Sequence, residues 1–187
     1  MSELYAVISE LDNDSSVVVK SIWAKLRDAC GLKAIYDLPT PHFSWFVAET
    51  LDLPRAKGII ADLAAQHLAL TSHVFGLGIF SGNRPVLYLP IVKSQAMIAL
   101  HNQIWDKLGS MAGLANGYYS PAFWLPHITL AINDLRRENL ACALESVAFE
   151  QVELTISAST LILVVQKGNP PNNILFQYRL ASLGGDR

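Results

Sequence analysis

Apolar and polar positions fall into two rhythms along the chain, one of period two and one close to 3.6. Residues 4–11, LYAVISEL, have the short apolar period of a strand. Val18, Ile22, Trp23, Leu26 and Cys30 then recur at helical spacing, which predicts a helix over 15–30 with Asp14 or Ser15 as its N-cap. Residues 42–49 predict a second strand. Pro54 suits the first turn of a helix running through LPRAKGIIADLAAQHLAL. HVFGLGIFSG and PVLYLPIV follow as two apolar runs around Ser81-Gly82-Asn83-Arg84, a hairpin signal.

The second half repeats the order. SQAMIALHNQIWDKLGSM, 94–111, predicts a long helix, and a loop rich in Gly, Tyr, Ser and Pro covers 113–121. WLPHITLAI predicts a strand and 135–148 a helix. VELTISASTLILVVQ and NILFQYRLAS predict a strand pair around Lys167-Gly168-Asn169-Pro170-Pro171. Each half thus runs helix, histidine strand, helix, two strands. The expected class is α+β: two pseudo-repeated αβ lobes with largely antiparallel sheets facing a central cleft, helices on the outside. No Pro-, Gly- or Ser-rich linker divides the chain, so residues 1–187 are expected to form a single bilobal domain.

Composition narrows the class. Hydrophobic residues make up 51% and charged residues 16%, which favours a packed core over disorder. No apolar stretch is long enough to span a bilayer, and no membrane association is expected. The opening MSELYAVISELDNDSS has no basic region ahead of an apolar one, so a secretory leader is not expected. Cys30 and Cys142 lack CxxC spacing and read as two reduced core thiols, in keeping with a cytoplasmic protein. The net charge is −2 and the 14 Lys and Arg are scattered, with Arg136-Arg137 as the longest run. A basic stripe for a long duplex is therefore missing from the sequence, and a small anionic ligand or the end of an oligonucleotide is the expected partner. Nothing in the sequence points to a protein partner.

The candidate chemistry lies in an echo. PHFS at 41–44 returns as PHIT at 126–129, each at the start of a predicted strand. Side chains alternate faces along a strand. His42 and Ser44 therefore share one face, and His127 and Thr129 share another. Phe43, Trp45, Ile128 and Leu130 take the opposite faces, toward a core. The two polar pairs can then meet across a cleft. Imidazole titrates near neutrality, so one ring can accept a proton while the other donates one. Two hydroxyls can hold non-bridging phosphate oxygens as charge develops. Transfer at a phosphodiester needs these parts.

Paired His-x-Ser/Thr motifs in a two-lobed αβ chain resemble the 2H phosphoesterase superfamily, and the PHITL form is similar to that of its 2′-5′ RNA ligase-like branch. The resemblance implies a metal-independent enzyme, without cofactor, acting on 2′,3′-cyclic phosphates, 2′-5′ linkages or related RNA ends and small nucleotides. It implies that His42 and His127 are catalytic, with His127 as base on water and His42 as acid on the leaving oxygen, and that Ser44 and Thr129 bind phosphate. Trp45 departs from the family pattern, where a smaller aliphatic residue is more usual.

The remaining motifs carry less. Two histidines without a carboxylate or cysteine cluster make poor zinc ligands, so no metal site is expected. His67 and His101 fall in helical patterns and His73 opens a strand; all three read as structural. Tyr118 and Tyr119, just before the second motif, either stack on an unpaired base or cover the edge of the core. Trp23, Trp105, Met97 and Met111 fit helix faces turned to the core, and Arg84 and Lys93 read as solvated. Gly76 and Gly78 complete no GxGxxG, and no P-loop is present. The alternative to an enzyme is a non-catalytic module that binds nucleotides or RNA ends in the same cleft.

Overall fold

The computed structural model describes residues 3–38, 40–166 and 172–182. In chain order its elements are β1 (Leu4–Glu10), α1 (Asn13–Cys30), β2 (His42–Leu51), α2 (Leu53–Gln66), β3 (Leu70–Phe75), β4 (Gly78–Phe80), β5 (Val86–Pro90), α3 (Gln95–Gly109), β6 (Ala112–Ala115), β7 (His127–Ala131), α4 (Arg137–Ala148), β8 (Glu153–Ala158), β9 (Thr160–Gln166) and β10 (Asn172–Arg179). Short 3₁₀ turns stand at Ala34–Asp37 and Gly117–Tyr119. This is the α+β class expected from the sequence, and all the strand pairings between named strands are antiparallel.

One sheet has the order β10-β9-β1-β2-β6. The other lobe is built from β4-β5-β7 and the pair β3-β8, bridged by Val74 and Ile91. Each sheet therefore draws strands from both halves of the chain, so the repeated order of elements does not map one half onto one lobe. The helices bury apolar stripes against these sheets. α2 turns in Ala56, Ile60, Leu63 and Ala64, and α3 turns in Met97, Leu100, Ile104 and Leu108, behind the five-stranded sheet. α1 packs against α4, β7 and β8 through Val19, Ile22, Trp23 and Leu26. A single cluster of buried apolar residues, from Val7 to Leu180, runs through both lobes.

Local details depart from the sequence expectations for tertiary reasons. α1 starts at Asn13 and its cap is Asp12, not Asp14 or Ser15. The Asp12 carboxylate accepts the Ser15 N–H at 2.9 Å through one oxygen and the Ser157 N–H of β8 at 2.9 Å through the other. A cap that also ties two elements together outcompetes a purely local one. α2 ends at Gln66, and Leu70 already belongs to β3, which ends the expected helix one turn early. The run VELTISASTLILVVQ is two strands, not one: β8 and β9 part at Ser159 and enter different sheets. The turn expected at 167–171 lies outside the described residues.

The cysteines are the main correction. Cys30 at the end of α1 and Cys142 in α4 form a disulfide, with Cα atoms 5.7 Å apart across a separation of 112 residues. The two helices lie side by side, and that packing brings the thiols into bridging range. Spacing in the sequence carries no trace of a contact made by two distant helices. Because the closed loop is long, the bridge restricts the unfolded chain strongly. The double substitution Cys30→Ser, Cys142→Ser is expected to lower unfolding free energy by about 2–4 kcal/mol in urea titrations. Dithiothreitol should cost the wild type a similar amount and the double mutant nothing further.

Candidate active site

The two histidine strands carry the same local structure. From His42 to Val47, HFSWFV, exposure runs half-buried, buried, half-buried, buried, buried, half-buried; from His127 to Ile132, HITLAI, it runs the same way. The break in alternation has one cause in both. β1 pairs Val7 with Phe46 and then Ile8 with Ser44, so Trp45 is an extra residue. β5 pairs Leu87 with Ala131 and then Tyr88 with Thr129, so Leu130 is an extra residue. Each is a β-bulge directly after the hydroxyl residue, and it sends two successive side chains into the core. Trp45 is consequently 0% exposed and does not enter the cleft. Its indole N–H donates to the Ser9 hydroxyl at 2.8 Å.

On the other face lies a cavity of about 810 Å³ between the lobes. His42, Ser44, His127, Thr129, Tyr118 and Tyr119 all line it. Val47 and Ile132, the residues after each bulge, line it as well. Strict alternation would have put them on the core side, so they were missed from sequence; the signal was the doubled apolar residue after each hydroxyl. Among the described residues, no group of three or more His, Cys, Asp or Glu is arranged to hold a metal ion.

The two imidazoles are held alike. His42 Nδ1 lies 2.8 Å from the carbonyl of Thr40, and His127 Nδ1 lies 2.7 Å from the carbonyl of Leu125. A carbonyl only accepts, so Nδ1 carries the proton in both neutral rings and Nε2 is the unprotonated nitrogen. Burial pushes the pKa of His42 down, opposed by the Thr40 bond and by the charge of Glu10. Burial also pushes His127 down, opposed by the Leu125 bond, and the charge of His42 adds to the depression. The rings are thus close enough to sense each other. His127 stands among aromatics, with Phe80 edge-on at 4.8 Å and Tyr88 at 5.2 Å between ring centroids. Gly78 makes that wall possible: a Cβ there would lie 2.4 Å from the Tyr88 ring.

The hydroxyl residues are fixed from behind by indoles. Trp124 Nε1 donates to the Ser44 carbonyl at 3.0 Å, and Trp23 Nε1 donates to the Thr129 carbonyl at 3.0 Å. Trp124 is sandwiched between Trp45, at 5.3 Å, and His101, whose ring lies parallel to it at 3.8 Å. His101 Nε2 donates to the Tyr119 carbonyl at 3.0 Å. The tyrosine pair divides: Tyr118 is 79% exposed at the cavity mouth, while Tyr119 is half-buried with its phenol against the Ser44 side chain. Burial pushes the Tyr119 pKa up, against the Ser44 contact, so it stays a neutral hydroxyl. The other histidines lie away from the cavity: His67 ends α2, and His73 contacts Thr155 at 3.3 Å.

Two antiparallel lobes around a cavity lined by two strand-borne His-x-Ser/Thr pairs form the architecture of the 2H phosphoesterases. The model of the 2′-5′ RNA ligase superfamily matches residues 14–169, and the chain belongs to that family. Its fold is similar to that of TT0787 from Thermus thermophilus, with a TM-score of 0.67 and 19% identity over 98% of this chain and 100% of that one. It is similar to Escherichia coli LigT, crystallised with 3′-AMP, with a TM-score of 0.63 and 14% identity over 95% and 98%. It is also similar to Kluyveromyces marxianus Usb1, with a TM-score of 0.52 and 10% identity over 95% and 98%. At these identities the likeness is one of fold. No curated protein matches the chain.

The buried stack makes stability depend on pH. Burial holds His101 down at about 4, below its ordinary 6.5, against its hydrogen bonds to Tyr119, Asn102 and Trp45. Between those values the unfolded chain binds a proton that the folded protein refuses, so stability rises with pH across the window and falls as pH drops from 6.5 toward about 4. Urea midpoints measured from pH 7 to 4 should fall more steeply for the wild type than for His101→Phe. The variant keeps a ring against Trp124 but has nothing there to titrate.

Proposed function

We propose that this protein is a metal-independent phosphodiesterase acting on 2′,3′-cyclic phosphates or 2′-5′ linkages at RNA ends or in small nucleotides. The observation that supports it most is the pair of imidazoles in one cavity, each with Nδ1 bonded to a main-chain carbonyl, which leaves Nε2 as the unprotonated nitrogen. His127 takes a proton from water as the new P–O bond forms. His42 gives a proton to the ribose oxygen as the old P–O bond breaks, and the product is a phosphomonoester. Ser44 and Thr129 donate to the non-bridging oxygens, where charge builds in the transition state. Tyr118 offers a ring face to the base at the cavity mouth. The neighbours crystallised with 3′-AMP and with uridine monophosphate support a site of mononucleotide size. Among the described residues no helix is long and apolar enough to cross a membrane. A cytoplasmic place of action fits substrates of this kind.

The test is a panel of 2′,3′-cyclic mononucleotides, cyclic-ended oligonucleotides and 2′-5′ dinucleotides, assayed with EDTA present. Turnover should survive chelation. His42→Ala and His127→Ala should each lower kcat by about 10²–10⁴, as for loss of a general acid or base. Ser44→Ala and Thr129→Val should cost less, and Tyr118→Ala should raise KM more than it lowers kcat. No turnover by the wild type, with both alanine variants merely weakening nucleotide binding, would assign the cavity to a binding module.

A further inference from the structure

The site is nearly symmetric, and it breaks symmetry at one register position. Ser44 and Thr129 face Ile8 and Tyr88 on the neighbouring strands. His42 faces Glu10 across β1 and β2, whereas His127 faces Pro90 across β5 and β7. Directly opposed residues of an antiparallel pair present their side chains on the same side of the sheet, about 4.5–5.5 Å apart at Cβ. Glu10 therefore projects on the His42 side. It is further fixed there, because the Thr40 hydroxyl donates to its carboxylate at 2.9 Å and the Thr40 carbonyl is the acceptor for His42 Nδ1. Glu10, Thr40 and His42 form one chain of contacts, and His127 has no carboxylate in the matching place.

Resting on the acid–base reading above, we propose that Glu10 is a positioning residue for the reaction: through Thr40 and its own charge it holds the His42 ring in the orientation and protonation state of the proton donor. Symmetric rings would compete for one proton. A carboxylate beside only one of them stabilises that imidazolium, while the aromatic wall of Phe80 and Tyr88 and the charge of His42 disfavour protonation of the other. The titratable groups beside His42 are Glu10, opposite it on β1, and His127, which its charge reaches; the Tyr119 phenol and the exposed Asp37 line the same cavity. Burial keeps Tyr119 neutral and Asp37 is exposed to solvent, whereas the Glu10 carboxylate is bonded to Thr40. Glu10 is thus the anion built onto this ring.

The substitution Glu10→Gln keeps an acceptor for the Thr40 hydroxyl and removes the charge. Histidine ring protons followed by NMR as a function of pH should show the His42 inflection falling by about 0.5–1 unit, with that of His127 moving less. The alkaline limb of the kcat profile should fall by the same amount, because loss of the His42 proton sets it, with the acid limb nearly unmoved. Thr40→Val, which frees Glu10 but keeps the main-chain bond to His42, should give a smaller shift in the same direction. A His42 inflection that stays in place in Glu10→Gln overturns the inference, as does a lower kcat with an unmoved pH profile. If the wild type turns over no phosphodiester, the proposed function fails instead, and the NMR titration alone decides for or against Glu10.

Discussion

An indole N–H buried away from water has to find an acceptor, and here two of them find it in the main chain of the site. Trp23 reaches the carbonyl of Thr129 from α1, and Trp124 reaches the carbonyl of Ser44 from the loop before β7. Leaving such a donor unpaired costs on the order of 1–3 kcal/mol, so both strands are held in place from the core side. The rest of the site is arranged around these two bonds. Trp45 and His101 stack on Trp124, and His101 in turn bonds the main chain at Tyr119. The cleft wall is in this sense the outer surface of an aromatic core.

The paired bulges add the second constraint. In an unbroken strand, Phe46 would turn to the cavity and Val47 to the core. The extra residue after each hydroxyl restores an apolar lining beyond the histidine pair, through Val47 on one side and Ile132 on the other. It also raises local twist, which suits two sheets that must curve around a shared space. The histidine and hydroxyl pairs thus meet within the cavity with apolar side chains beside them. That setting keeps both imidazoles partly dehydrated, and burial pushes the pKa of each down.

Much of this could be read from the chain itself. Period-two alternation placed His42 with Ser44 and His127 with Thr129, and it placed Trp45 in the core despite its size. Helical spacing located α1 and α3, and their buried faces carry Ile22, Trp23, Leu26 and Met97 as expected. What stayed hidden depends on partners distant in sequence. A bulge is a property of two strands, so the doubled apolar pair in PHFSWFV becomes a bulge signal only once its register with β1 is known. Asp12 outranks Asp14 as a cap because Ser157 also binds it. The disulfide requires α1 and α4 to lie side by side, and Glu10 acquires its meaning only from standing opposite His42.

The weaving of the sheets has a consequence for how the chain comes off the ribosome. β1 is made before both of its neighbours, which are β2 on one edge and β9 on the other. Its second edge stays open until Gln166 has been synthesised, and β3 waits almost as long for β8. Exposed strand edges are templates for pairing with the wrong chain. Pairings this distant along the sequence also raise contact order and slow the search for the native topology. A nascent chain of this protein is therefore open to aggregation until β9 has been made, and an arrest or truncation before β9 leaves the central strand of the larger sheet without a partner on one side.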